Sequence, residues 1–277
     1  MTVCLTVDVE EWYHDLWPGT DRIISEYYKG TLPTGTFVEP LKSILQMLER
    51  QHAWATFFVL GESATACPEM VEQILDSGHE VASHGYLHKD LTKMSLDELA
   101  GTEKRNRAVF RKITGEEPKG FRAPNFKVNP KMINALERVG YEYDSSVVPS
   151  ISIPGWFGYF NAPLGPYRTG KLGSSFFEFP VAVFPHLRLP AGGGWFIRNL
   201  GSRYVETAIR LLLRKGLPAI MYIHPLDVYA NVPRLEGIPF HTTRRCGDYT
   251  LKAIEHILAN LDCRKVPIRD LLKEYST

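Results

Sequence analysis

The sequence predicts an α/β fold, a distorted (β/α) barrel of about seven strands. Three observations support it. Short β-branched or apolar runs alternate with stretches of helical period, the pattern of βαβ units and a parallel sheet. The 277 residues suit one barrel domain better than two full enzyme domains. The alternative, a doubly wound open sheet, lacks its usual nucleotide fingerprints: there is no G-x-G-x-x-G after a strand and no G-x-x-x-x-G-K-[ST].

The elements follow in order. Val3–Val7 is a short β-branched strand. Residues 39–51 place Leu41, Ile44, Leu45 and Leu48 on one helical face, with Pro40 in the first turn. Residues 54–60 form a buried strand, and residues 68–76 a helix with Pro68 at its start and Gly78 past its end. Residues 80–83 form a strand. Ser95 and Glu98 make a capping box for a helix that runs to Thr114-Gly115. Asn129-Pro130 opens the next helix and Gly140 closes it. A short Tyr-rich strand then ends near Asp144. Residues 176–184 and 219–224 read as strands, and 203–214 and 249–260 as helices. The Pro-, Gly- and aromatic-rich stretch 147–201 breaks the alternation and reads as a loop-bearing insertion within a single domain 1–277.

Composition narrows the function classes. Lys+Arg 32 against Asp+Glu 31 leaves no basic excess for nucleic acid. No apolar run reaches 18 residues, so no transmembrane helix is expected. Carboxylates appear by position 8 and no basic region precedes them, which is unlike a signal peptide. The four cysteines are scattered without a C-x-x-C pair, which fits a reduced, cytoplasmic setting.

The chemistry-bearing residues sit at predicted strand ends, where barrel active sites form. Asp8 and Glu10 share one face of an extended strand; a solvated acidic turn is the alternative. His84 and His88, four apart, would stack on one face of a helical turn. With a carboxylate they make a catalytic metal set; two surface histidines are the alternative. His79, on the strand side, reads as a packed, hydrogen-bonded histidine. In Gly120-Phe121-Arg122-Ala123-Pro124-Asn125-Phe126, Arg122 is placed to clamp a carboxylate, or is an ordinary surface cation. Asp144 is a strand-end carboxylate or a turn residue. His224 ends an apolar strand where a general acid would stand, or is structural.

Together and in this order, these pieces resemble the polysaccharide deacetylases of carbohydrate esterase family 4, the chitin and peptidoglycan deacetylases. The likeness spans about Thr6 to His224. Asp8-Val9-Glu10 with His84-Gly85-x-x-His88, Gly192-Gly193-Gly194-Trp195-Phe196 and Tyr222-Ile223-His224-Pro225 look like the branch that includes exopolysaccharide-locus deacetylases. The resemblance implies a deacetylase-type barrel and a role for each residue. Asp8 would be the base that activates water. Glu10, His84 and His88 would be the metal triad. Arg122 would orient the base, His224 would be the acid for the leaving amine, and Asp144 would be its acidic partner. The chain departs from the better-known members at Val9, where they carry a second aspartate, and at Gly85, where they carry Ser or Thr.

The implied cofactor is one divalent ion, zinc ahead of cobalt, nickel or manganese. The implied substrate is an N-acetylated amino sugar of a surface polysaccharide, an exopolysaccharide or its precursor. Trp195, Tyr159, Trp156 and Asn125 are the expected substrate-binding residues. Flat aromatic faces stack on sugar rings, though the same aromatics could pack the insertion over the barrel mouth. Two other readings share the scaffold: an amidase for small cyclic or ureido amides, and a non-catalytic carbohydrate-binding protein. No interface pattern indicates an oligomeric state.

Overall fold

The computed structural model describes residues 1–14, 16–17, 19–154, 156–169 and 174–276. Among the described residues, one curled sheet holds nine strands: β1 (Thr2–Val9), β2 (Ala55–Val59), β3 (Glu80–Ser83), β4 (Gly120–Phe121), β5 (Tyr143–Asp144), β6 (Tyr167–Arg168), β7 (Phe177–Glu178), β8 (Ala219–Ile223) and β9 (Arg264–Lys265). Their order is β6-β7-β5-β4-β3-β2-β1-β8, with β9 also on β1. Every pairing is parallel except β6 with β7. Past β7, Val181 bridges to Ile220 of β8, so the sheet curls back on itself. The result is a half-barrel wrapped by helices, as the alternation predicts.

β1 lies at the centre of this curl and is buried along its whole length. Its neighbours are β2, in register Asp8↔Phe58, and β8, in register Val7↔Ile223. That register brings Asp8 and His224 to the same end of the sheet. The helix Val38–Arg50 buries Leu41, Ile44, Leu45, Met47 and Leu48 against the sheet. Truncating a fully buried leucine such as Leu48 to Ala should cost about 2–5 kcal/mol. The Ser95–Glu98 capping box forms, and the helix Leu96–Thr114 ends at a left-handed Gly115, as read from the sequence. Asn129 caps the helix Pro130–Val139 through its side chain, and Gly140 stops it.

The stretch 147–201 is more than loop. It supplies β6, β7 and the helix Gly194–Leu200. Its residues 155 and 170–173 lie outside those described. Three consecutive glycines explain how its end packs. A Cβ on Gly193 would come within 2.5 Å of the Tyr222 ring, and one on Gly194 within 2.0 Å of an Asp227 carboxylate oxygen. Only glycine lets this backbone approach β8 and the chain after it.

Candidate active site and metal centre

The loops leaving β1, β3, β4 and β8 converge on one narrow cleft of about 30 Å3. Its lining includes Asp8, Glu10, His84, His88, Asn125 and His224, with Trp156, Phe157, Trp195 and Tyr222 as aromatic walls. Glu10 Oε2 lies 2.8 Å from His88 Nε2 and 3.6 Å from His84 Nε2. Each of the three residues offers a ligand atom, all within 4.8 Å of one another. His84 Nδ1 sits 2.9 Å from the carbonyl of Arg122. That contact assigns the ring proton to Nδ1 and leaves the Nε2 lone pair facing Glu10, the arrangement expected of a metal-bound histidine. The donor set therefore fits a divalent ion: two imidazoles and one carboxylate. Burial alone would raise the Glu10 carboxyl, but His88, His84 and His224 outweigh it and hold it well below its ordinary range.

The spacing of His84 and His88 works differently from the expected helical turn. Residues 84–90 contain no helix. The rings meet at 5.8 Å and 55° through a bend with Gly85 at φ +83°. This explains the glycine where a Ser or Thr is usual in the resembled family. The conformation, rather than lack of space, excludes a side chain, since a Cβ there would find nothing closer than 3.7 Å. Ser83 Oγ accepts from Gly85 N at 3.1 Å and from Asn106 Nδ2 at 2.9 Å, which pins the bend.

Asp8 is held from behind. Arg122, fully buried, donates from Nη1 to Asp8 Oδ1 at 2.8 Å and to Thr6 Oγ1 at 2.6 Å. Its other nitrogens bond the Ser145 carbonyl and hydroxyl, both at 2.8 Å, and its plane lies 4.2 Å from the Phe58 ring centroid. The clamp leaves Asp8 Oδ2 on the cleft side, 3.8 Å from His224 Nε2. His224 Nε2 also lies 3.5 Å from Glu10 Oε1.

Asp144 is not beside His224. It is fully buried behind the site, where it accepts from Ser146 Oγ at 2.6 Å and interacts with Glu178. The short strands β5 and β7 pair side by side, Asp144↔Glu178, and so turn the two carboxyls together. The acid beside His224 is Asp227. Its Oδ2 accepts from the His224 backbone N at 2.8 Å and lies 3.7 Å from the ring Nδ1. Arg198, fully buried, donates to its Oδ1 at 2.6 Å. Burial alone would raise the Asp227 carboxyl; Arg198 and His224 outweigh it and pull it below its ordinary value. A signal for it was present in the sequence: His224-Pro225-Leu226-Asp227 places an acid at the third position of a Pro-initiated helical turn.

Of the expected substrate-binding residues, Trp195, Trp156 and Asn125 line the cleft. Tyr159 does not. Its hydroxyl donates to the Val128 carbonyl at 2.5 Å and its ring packs on a core cluster. Asn125 and Phe126 both adopt left-handed backbone, φ 56° and 57°, a strained pair at the rim. His79 is the packed histidine expected, accepting from Ala55 N at 3.3 Å. Sequence reasoning missed His14. Its ring stacks on His88 at 4.7 Å and 10°. Burial, then the neighbouring His88, pushes its pKa down to about 3, so it is neutral at pH 7.

Residues 33–143 match the polysaccharide deacetylase family model. Over this stretch the chain is similar to the polysaccharide deacetylases. Residues 145–263 match a second model, described as a domain of unknown function, DUF3473. The deacetylase match contains His84, His88, Arg122 and Asn125, whereas Asp8 and Glu10 precede it and His224 and Asp227 fall in the second model. A peptidoglycan deacetylase-like protein of Gibberella zeae is 32% identical over 135 residues, 47% of this chain and 40% of that protein. The chain thus spans about two fifths of that relative's length. Among solved structures, one from Mycobacterium smegmatis described as a polysaccharide deacetylase matches at TM-score 0.64 and 20% identity, covering 98% of this chain and 89% of that one. Puue allantoinase matches at TM-score 0.66 and 15% identity, covering 99% and 89%. At these identities the structural likenesses establish the deacetylase-type fold.

Proposed function

We propose that the protein is a metal-dependent hydrolase that removes an N-acetyl group from an amino sugar of a surface polysaccharide, an exopolysaccharide or its precursor. The observation that supports this best is a pair of proton-handling groups beside one triad. Asp8, clamped by Arg122, and His224, backed by Asp227, reach the cleft with Asp8 Oδ2 and His224 Nε2 3.8 Å apart.

Glu10, His84 and His88 would hold the ion. Bound there, a divalent ion such as zinc supplies an activated water and polarises the amide carbonyl. Asp8 takes the proton of the attacking water on Oδ2, because Oδ1 is committed to Arg122. His224 delivers a proton from Nε2 to the leaving nitrogen, since an amine departs only when protonated. Asp227, kept anionic by Arg198, orients His224 through its backbone N and faces Nδ1. Trp156 and Trp195 wall the cleft, and Trp17, exposed at the rim, meets Trp156 edge-on at 5.5 Å. These faces suit a sugar ring lying across the mouth, with only its acetamido group entering the narrow cleft.

A second reading, a small cyclic or ureido amide, is raised by the likeness in fold to Puue allantoinase. One experiment separates the readings. Metal content and acetate release from N-acetylglucosamine oligosaccharides are measured on wild type, Glu10→Ala and His84→Ala, with allantoin hydrolysis in parallel. The proposal expects about one divalent ion per chain and metal-dependent acetate release in wild type, both lost in the variants. Allantoin turnover without acetate release would move the assignment to the small amide. Sugar binding with neither turnover nor metal would make the protein a binding module.

A further inference from the structure

A second pocket is separate from the catalytic cleft and has no lining residue in common with it. It measures about 340 Å3 and is lined by Arg234, Arg244 and Arg245 together with Leu235, Ile238 and Phe240. Three arginines line it and no carboxylate does, although Arg245 Nη1 also donates to the Tyr249 hydroxyl at 3.3 Å. Among the described residues none of the three forms an ion pair, which is true also of the exposed Arg138 and Arg214, so it is the pocket lined by three such arginines that marks the site. Arg244 lies 5.8 Å from the Phe240 ring centroid, and Arg245 4.8 Å from that of Tyr249. Glu236, in the same segment, is exposed and does not line the pocket. Phe240 is 74% exposed, the largest exposure of any aromatic among the described residues. Uncompensated cations beside a bare aromatic face suit a ligand that is anionic at one end and apolar at the other.

Two contacts connect this pocket indirectly to the catalytic cleft. His241, next to Phe240, packs on Trp195 and Trp17 at 5.7 and 5.1 Å, and Trp195 lines the catalytic cleft. Arg198 donates to the carbonyls of Thr242 at 2.5 Å and Arg244 at 3.5 Å while its Nε holds Asp227. One buried arginine therefore braces both the pocket wall and the residue behind His224.

We propose that this pocket binds a phosphate-bearing amphiphile, with the phosphate oxygens between Arg234, Arg244 and Arg245 and the hydrocarbon on Leu235, Ile238 and Phe240. Guanidinium forks pair bidentately with phosphate, and the apolar wall distinguishes such a ligand from a simple inorganic anion. That the amphiphile is the carrier of the sugar substrate rests on the deacetylase reading; the pocket itself does not.

The test is a binding measurement on the full chain, independent of turnover. Titration calorimetry compares inorganic pyrophosphate with geranyl diphosphate below its micelle concentration. Co-sedimentation compares phosphatidylcholine vesicles with and without phosphatidylglycerol. Each is run on wild type, on the triple variant Arg234→Gln/Arg244→Gln/Arg245→Gln, and on Lys112→Gln/Arg138→Gln/Arg214→Gln, which removes three exposed cations elsewhere. The expectation is that geranyl diphosphate binds more tightly than pyrophosphate and that the pocket variant weakens it at least about tenfold. The control variant should be unchanged. Binding of monomeric geranyl diphosphate assigns a singly held ligand. Binding only to phosphatidylglycerol vesicles, lost in the pocket variant alone, assigns the same phosphate site to a bilayer headgroup. No binding by wild type to any probe, or equal loss in both triple variants, overturns the proposal. If turnover on sugars fails while this binding holds, the deacetylase reading falls and the pocket stands.

Discussion

Two buried clusters of acids lie back to back in this half-barrel, and they differ in what surrounds them. At the cleft, Asp8, Glu10 and Asp227 each face a cation or a histidine: Arg122, the His84–His88 pair, and Arg198 with His224. Behind it, Asp144 and Glu178 face chiefly each other. Burial raises both carboxyls, and Glu178 is driven well above its ordinary value because Asp144 lies beside it. Asp144 Oδ2 and Glu178 Oε2 lack another hydrogen-bond partner, so one shared proton would satisfy both. The comparison shows that burial alone does not make an acid reactive. The cations around it decide whether it stays ionised and available, or neutral and structural.

The largest test of this contrast is Asp8→Asn against Asp144→Asn. The first should lower kcat about a hundred- to ten-thousandfold with metal content unchanged, because the proton acceptor is gone. The second should leave kcat within about threefold. Steady-state kinetics with elemental analysis on both proteins measures it, and equal losses would erase the distinction between the clusters.

Next, Asp227→Asn should lower kcat about tenfold or more with metal content intact, since His224 loses its carboxylate partner. Asp227→Ala should also destabilise the fold by about 3–5 kcal/mol, because Arg198 is left as an uncompensated buried charge. Urea denaturation reads the second effect.

The clusters should also respond to pH in opposite senses. Asp227 sits below its ordinary 3.8, so its contribution is present above that value and lost as pH falls through its lower folded value. Glu178 sits above its ordinary 4.5, so its contribution is full below that value and lost as pH rises through its raised one. The Tm gap between wild type and Asp227→Asn should therefore narrow below about pH 4. The gap between wild type and Glu178→Gln should narrow as pH rises above about 5. Parallel trends in the two variants would contradict the assignment.

The smallest effect expected is Gly85→Ala. A non-glycine residue at φ +83° costs about 1 kcal/mol. Its signature should be weaker metal retention under chelator titration, because the bend presents His84 and His88.

Much of the site was legible in sequence because strand ends declare themselves locally. The β-branched run before Asp8, the apolar run before His224 and the capped helices between them follow from residue order alone. Those signals placed Asp8, Glu10, His84, His88, Arg122 and His224 at one end of the sheet. Pairing between distant segments was not legible. Asp144 and Asp227 both stand near strand ends, and nothing local says which of them faces His224. Tyr159 and Trp156 are both aromatics of one loop, yet one packs inward and the other lines the cleft.

Sequence by itself determined the alternation of strands and helices, the capping residues and the identity of the groups able to bind a metal or move protons. These depend on neighbours a few residues apart and on intrinsic side-chain chemistry. Tertiary structure alone decided the partners. Gly193 and Gly194 admit Tyr222 and Asp227, the β5–β7 register turns Asp144 onto Glu178, and Arg198 reaches across to Asp227. These contacts join residues about 30 or more positions apart, and they exist only once the sheet has curled and excluded water from between them.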